Sequence, residues 1–394
     1  MSRKIRMLAM AFLWSSWLTA GELLFSGFAS LRGAQYLDTE AGNPGIPGFL
    51  EDNDSHMSFK DASLFALQAS YDFGKGLKAT VQFLTEGKSD FEVDARWVYL
   101  SYDYKNHVFK VGRMANPIFY QSEYQNVGFI HNYAQLPQAV YFPVEFSMVE
   151  GVSVDSNFII GEWDLRTKFL YGHFDGELYF TATGANHPSG LENLVSVNLE
   201  LSNRWFKIYG GSFLSRTDFA AFDQEVVFPL VEEAINASNA TQAEIAAFLE
   251  ALASDNKDGN YSFFGVGWEC SKWVFDAEYV TYGVKDSAIP WGDCYYGALG
   301  HRVGPLVFTL RFETFDRDRE DKQFLDAVPD PILFGAGAAI HDAIGARRFD
   351  QSTFSVRWDF HESAAFKFDY FDGHDKRLTV GDYNGIIFGI DVMF

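Results

Sequence analysis

The chain has 394 residues, with 53 Asp and Glu against 31 Lys and Arg, and a formal net charge of −22. This acidity excludes nucleic acid as a partner, because phosphates would be repelled. Aromatic residues at 17% exclude intrinsic disorder, and two Cys can build neither a disulfide scaffold nor a four-ligand zinc site. Length alone suggests two or three soluble domains; the residue pattern points elsewhere.

Arg3, Lys4 and Arg6 precede a largely apolar core from Met7 to Leu18, and Thr19-Ala20-Gly21 follows with small residues. This is the layout of a secretory signal over residues 1–21, cleaved after Ala20 or Gly21. A buried N-terminal helix is the alternative. Removal of the leader leaves 28 bases against 53 acids, a charge of −25. No later stretch approaches eighteen apolar residues, so a helical membrane protein is excluded.

From Glu22 onward the dominant period is two, the period of a β-strand. Leu23, Phe25, Gly27, Ala29 and Leu31 share one face of the first segment. Leu77, Ala79, Val81 and Phe83 then oppose Lys78, Thr80 and Gln82. Trp163, Leu165, Thr167, Phe169 and Tyr171 oppose Asp164, Arg166 and Lys168. Near the C-terminus, Phe354, Val356, Trp358 and Phe360 oppose Ser355, Arg357 and Asp359.

Sixteen strands result, at about 23–34, 62–73, 77–86, 93–104, 107–114, 149–158, 162–172, 191–202, 205–215, 261–270, 273–282, 293–302, 305–315, 352–360, 364–372 and 384–394. Turns of two or three residues alternate with loops, most of them long: 35–61, 115–148, 173–190, 216–260 and 316–351. Short–long alternation of this kind is what an up-and-down barrel with one turn rim and one loop rim requires. Sixteen strands enclose too wide a space for side chains alone to fill. The charges at mid-strand, such as Arg166, Lys168, Arg311, Arg357 and Lys367, need water. The expected fold is therefore all-β, a transmembrane antiparallel barrel over 22–394 with a polar lumen and an apolar exterior. Tyr71, Phe73, Tyr102, Tyr104, Trp163, Trp205, Trp273, Trp358 and Phe360 gather at the short-turn ends, as an interfacial girdle would. A soluble sandwich or propeller also alternates and is the competing fold.

Gly112-Arg113-Met114-Ala115-Asn116-Pro117, Pro143-Val144-Glu145-Phe146 and a C-terminal Phe394 on an alternating strand complete the pattern. On these residues the chain resembles the sixteen-stranded porins of the Gram-negative outer membrane. The first two motifs are similar to the start and the tip of the porin third loop, which folds inward as a constriction. Phe394 is similar to the residue that the barrel-assembly machinery reads. The resemblance implies an outer-membrane location, contact with lipid and lipopolysaccharide, and passive diffusion of small hydrophilic solutes and ions. It also implies a homotrimer, although the second loop at about 87–92 is short for the usual latch onto a neighbour.

Between 115 and 148 there are two acids, Glu123 and Glu145, and neither Lys nor Arg; Glu150 follows. Arg32, Lys78, Lys110, Arg113, Arg357 and Lys367 supply basic wall positions. Acids on an inserted loop opposite bases on the wall would create a transverse field across the opening. The alternative is that each base is solvated or paired locally, with Asp72, Asp359, Asp369 or Asp391. The loop aromatics, among them Phe119, Tyr120, Tyr124, Phe129, Tyr133, Tyr141, Phe142 and Phe146, either anchor the loop or line a path for ring-shaped solutes such as sugars.

In the fifth loop, 216–260, Thr241 and Glu244 form a capping box before an apolar stripe of Ile245, Phe248, Leu249 and Leu252. Nine scattered His carry no metal spacing, and no nucleophile elbow or phosphate loop stands out. Neither a cofactor nor a reaction is therefore expected. A channel selective for sugars or anions, an adhesive barrel and a rim enzyme are the alternative functions. The loops at 35–61, 217–260 and 316–351 carry −5, −8 and −3, so the acidity belongs mostly to the loop rim.

Overall fold

A computed structural model of the protein describes every residue except 1–20, 40–55, 142–145, 181–184, 319, 347 and 377–380. The leader, Phe142 and Glu145 lie outside the described residues. In chain order the strands are β1 (Glu22–Thr39), β2 (Leu64–Gly74), β3 (Leu77–Glu86), β4 (Val93–Tyr104), β5 (His107–Ala115), β6 (Met148–Ile160), β7 (Trp163–Phe180) and β8 (Ala185–Ser202). They continue as β9 (Phe206–Asp218), β10 (Asp258–Glu269), β11 (Trp273–Val284), β12 (Gly292–Val303), β13 (Leu306–Arg317), β14 (Phe349–His361), β15 (Ala364–Asp375) and β16 (Asp382–Met393).

Each strand pairs antiparallel with its sequence neighbours, and β1 closes on β16, so all sixteen form one barrel. Closure leaves no unpaired edge, which is the condition for a sheet to stand in lipid. Tight turns make the short rim possible: Gly161 and Gly304 take φ of 66° and 59°, where a side chain would be strained.

Alternation sorts the residues by face. Leu100, Val111, Val152, Leu199, Phe264 and Leu310 are outward and exposed, as a lipid-facing belt must be. Inward, Arg311, Glu313, Lys367, Asp369 and Asp391 are buried. At the short-turn rim Phe73, Tyr102, Tyr104, Trp205, Trp273, Trp358 and Phe360 are exposed, while Tyr71 and Trp163 are half-buried. At the loop end, register places Arg113, Glu150 and His173 side by side, and then Glu192, Arg216 and Asp258. These charges mark the upper edge of the apolar belt, at the level of lipid headgroups. A closed barrel with such an exterior belongs to the Gram-negative outer membrane.

Two segments differ from the sequence expectation. Residues 173–190, expected above as a loop, extend β7 and β8 into a long hairpin, with pairs from Phe174↔Leu191 to Phe180↔Ala185. The extension carries Gly176, Pro188 and Gly190, which weaken the strand signal. The loop after β13, expected without secondary structure, contains a helix over Pro331–Ile344.

Among the described residues, the loop rim carries three helices of ten residues or more: α1 (Phe228–Ala237), α2 (Gln242–Leu252) and α3 (Pro331–Ile344). In α3, Asp330 caps the Ile332 and Leu333 amides and Pro331 occupies the first turn, a start signal present in the sequence. In α2 the capping box forms, with Glu244 N–H donating to Thr241 Oγ1 (3.3 Å) and Thr241 N–H to Glu244 Oε2 (2.7 Å). Phe248 and Leu252 face inward and are fully buried. The Thr241 amide and hydroxyl hold the Glu244 carboxyl below its ordinary value, so this contribution is present at neutral pH and lost as acid protonates the group. Replacement Thr241→Ala should speed amide exchange in the first turn of α2 about fivefold and leave exchange in the barrel strands unchanged, as read by hydrogen-exchange mass spectrometry.

Candidate functional site: the lumen and its inserted loop

After β5 the chain turns into the lumen and returns at β6, crossing from one wall to the other. Backbone groups on such an inserted segment have no sheet to pair with, so they must find polar partners on the wall. The inward-facing charges supply them. Arg311 Nη1 donates to the Gln135 carbonyl (2.8 Å), and Arg357 Nη1 to the His131 carbonyl (2.9 Å). The Lys367 ammonium donates to the Gly128 carbonyl. In the reverse sense, Asp369 accepts the Gln135 amide (3.2 Å), Glu313 the Ala139 amide (2.9 Å) and Glu278 the Tyr120 amide (3.2 Å). Hydroxyls add two more ties, from Tyr133 to Asp276 (3.1 Å) and from Tyr141 to Glu278 (2.9 Å).

Asp391 is the centre of the strongest contact. Its Oδ1 accepts from Arg32 Nη2 (2.7 Å) and Nε (3.1 Å), and its Oδ2 lies 2.9 Å from Lys367 Nζ. Gly128 lies directly over this trio; a Cβ there would collide with Arg32 Nη2 and Asp391 Oδ1. A larger residue here would fit only if the Arg32–Asp391 pair shifted.

Across the lumen, Glu123 meets the wall of β5 and β7. Its Oε1 contacts the Lys168 ammonium and lies 3.6 Å from Lys110, which also pairs with Asp155 at 2.7 Å. Burial alone would raise the Glu123 carboxyl; Lys168 and Lys110 overcome it and bring the value down to about 2. His131 is held neutral, with its value lowered to about 3 by burial and then by the Lys367 charge; its Nε2 lies 3.1 Å from the Tyr124 carbonyl.

The basic residues expected on the wall thus divide into separate groups. Arg32, Arg357 and Lys367 contact the inserted loop or the carboxylate beneath it, and Arg357 also pairs with Asp359 at 2.7 Å. Lys110 is on the opposite wall beside Glu123. Lys78 pairs with Asp103 (2.9 Å) near the short-turn rim, away from the described residues of the loop.

Arg113 and Glu150 require correction. They pair with each other across β5 and β6 (3.5 Å), and Glu150 sits two residues from the outward Val152. Pleating therefore turns them to the outer surface, where Glu150 also lies 4.0 Å from His173. They are not pore-lining groups. Counting two residues from the apolar belt would have identified this from sequence.

Most of the described loop aromatics act as anchors. Phe119 packs on Tyr141 (4.8 Å) and edge-on to Tyr261 (5.7 Å), and Phe146 packs edge-on to Phe213 (5.4 Å). Tyr120 stacks on Tyr209 (4.0 Å), with Lys207 Nζ 4.0 Å from the same ring. Phe129 lies under the Arg357 guanidinium (5.2 Å), whereas Tyr124 is exposed. Ile118, Phe119, Leu136 and Tyr141 join Phe222, Phe248, Leu252, Leu333 and Ile340 of the rim segments in one continuous core. The inserted loop and the rim helices are thereby one packed unit over the β8–β14 half of the barrel.

Phe394 lies in the closing seam. Its N–H donates to the Gly27 carbonyl (3.0 Å), its carbonyl accepts the Gly27 amide (2.8 Å), and its ring stacks on Phe65 (6.3 Å). Cys270 and Cys294 are free thiols. Among the described residues, no group of three or more His, Cys, Asp or Glu could hold a metal.

No protein-family model matches the chain, and no curated protein matches it. Solved structures do. The trimer form of OmpT, an outer membrane protein of Vibrio cholerae, is similar at 11% identity over 95% of this chain and 100% of that one, with a TM-score of 0.54. An anion-selective porin from Comamonas acidovorans is similar at 12% identity, with the same coverages and a TM-score of 0.56. OprB of Pseudomonas putida is similar at 9% identity over 94% of each chain, again at 0.56. The likeness is one of fold: a sixteen-stranded barrel like those of bacterial outer-membrane porins and channels.

Replacement Asp391→Asn leaves Arg32 and Lys367 buried without their counter-charge and should destabilise the barrel by about 3–5 kcal/mol, read from urea unfolding of the detergent-folded protein. The inserted loop should loosen with it, as faster amide exchange at 128–135.

Proposed function

We propose that this chain is a passive channel of the outer membrane for small hydrophilic solutes, with residues 116–147 as its constriction. We further infer a restrictive, solute-selective channel, which the sequence left as the alternative to general diffusion. The carrying observation is that the inserted loop is fastened to β11–β16 by buried charges and fused with the rim helices into a single core. A filled half-lumen leaves a narrower path than an unlidded sixteen-stranded barrel.

The polarity of the constriction is nearly balanced in this reading. Lys110 and Lys168 face Glu123 and Asp155, Arg357 faces Asp359, and Arg32 with Lys367 share Asp391. The field is therefore local and paired, and the channel discriminates by fit and hydrogen bonding more than by net charge. The reading is non-enzymatic, with the lumen carboxylates serving as ties for the loop. Recognition of Phe394 by the assembly machinery and contact of the outward rim charges with lipopolysaccharide belong to the same proposal.

A homotrimer is part of it as well. The outer faces of β1–β5 form an apolar trough of about 390 Å³ lined by Leu23, Ala69, Ala79, Val81 and Leu100. Small residues let a second barrel approach closely, and one similar fold is a trimer. Substitution Ala79→Trp should convert the trimer to monomer on native gels and abolish chemical cross-linking of subunits; an unchanged oligomer would place the contact elsewhere.

Planar-bilayer recording tests the channel. The purified protein should give discrete conductance steps with a reversal potential near zero in a salt gradient, and no peptide or ester hydrolysis. Absence of steps would overturn the proposal. Glu123→Gln removes one negative charge beside two lysines, so selectivity should move toward anions. Because the Glu123 carboxyl titrates at about 2, wild-type selectivity attributable to it should persist from pH 7 down to about pH 3.

A further inference from the structure

Between the inserted loop and the ends of β2 and β3 lies a half-enclosed cleft of about 90 Å³, which borders the ties described above at Arg32, His131 and Gln135. It has room for several waters or the charged head of one small solute. Its chemistry is two-signed. Arg32 and Lys88 line it, and so do Asp61 and Glu86, with the Gln125 and Asn126 amides between them.

These charges are only partly engaged with one another. Arg32 uses Nε and Nη2 on a single oxygen of Asp391, so its Nη1 edge makes no hydrogen bond among the described residues. Lys88 reaches Glu86 only at 3.9 Å, the outer limit of an ion pair. Asp61 has no ion-pair partner among the described residues; its backbone amide alone is engaged, by Ser58 Oγ (3.4 Å). Both signs therefore face a shared space with unused capacity.

A simple anion entering this space meets Asp61 and Glu86, and a simple cation meets Arg32 and Lys88. A neutral polyol can hydrogen-bond to these groups in place of water but brings no countercharge to either sign. A dipolar ion satisfies both pairs at once, with its carboxylate toward Arg32 and Lys88 and its ammonium toward Asp61 and Glu86. The small volume restricts the side chain. We propose that this cleft is a binding subsite for a small α-amino acid in its zwitterionic form. The proposal deepens the channel reading by naming the solute class it retains, and it rests on that reading only for its role in transport.

The test is equilibrium dialysis of labelled glycine and L-alanine against the full detergent-folded chain, with acetate, methylammonium and glycerol as controls. Saturable millimolar binding of both amino acids is expected, with at least tenfold weaker uptake of each control. Asp61→Asn and Lys88→Gln should each weaken amino-acid binding about tenfold, and both positions are accessible enough to keep the barrel folded, as checked by heat-modifiable gel mobility. Glycine should also lower wild-type single-channel current, and the two variants should lose that block. Absence of saturable binding, binding equal to that of acetate, or unchanged binding in both variants would overturn the subsite. Binding without any conductance would retain the subsite and remove the channel reading. Conductance without binding would do the reverse.

Discussion

Everything in this molecule follows from one requirement of lipid: no backbone amide or carbonyl at membrane depth is left without a partner. Sixteen strands meet it by closing β1 onto β16, which makes the wall a single hydrogen-bonded ring. Closure then creates a second problem on the inside, where the ring is wider than its own side chains can fill. The inserted loop answers that problem and meets the same rule again, because its own backbone groups need partners. The ring of inward Arg, Lys, Asp and Glu is best understood in that light. Arg311, Arg357 and Lys367 take loop carbonyls, while Asp369, Glu313 and Glu278 take loop amides.

The wall was legible in the sequence because a period of two is a local property. All sixteen strands lie within a few residues of their expected places, apart from the long β7–β8 hairpin, whose glycines and proline obscure the alternation. The capping box at Thr241 and Glu244 was equally readable, since its two partners are three residues apart. The start of α3 at Asp330-Pro331 carries a comparable local signal, a capping Asp followed by Pro in the first turn.

The site was less legible, for two physical reasons. The first concerns parity. Arg113 and Glu150 flank the inserted loop in sequence, but the pleat turns them toward the outer surface two residues beyond Val111 and Val152. Chain proximity to the loop is a weaker guide than the face count. The second reason is distance along the chain. Sequence could name Arg32, Lys367 and Asp391 as inward charges, but it could not say that all three meet beneath Gly128. The alternative of local pairing and the alternative of a charged constriction both depended on that missing contact.

That contact also carries information about order. Arg32 and Asp391 stand 359 residues apart, one on the first strand and the other three residues from the end of the chain. They become neighbours only when the last strand docks against the first. Until that moment the platform under Gly128 does not exist, and the inserted loop has nothing to sit on at this end. The seat of the inserted loop at this end therefore depends on the pairing of β1 with β16. An incompletely closed barrel lacks this support for the inserted loop, whatever the state of its other strands.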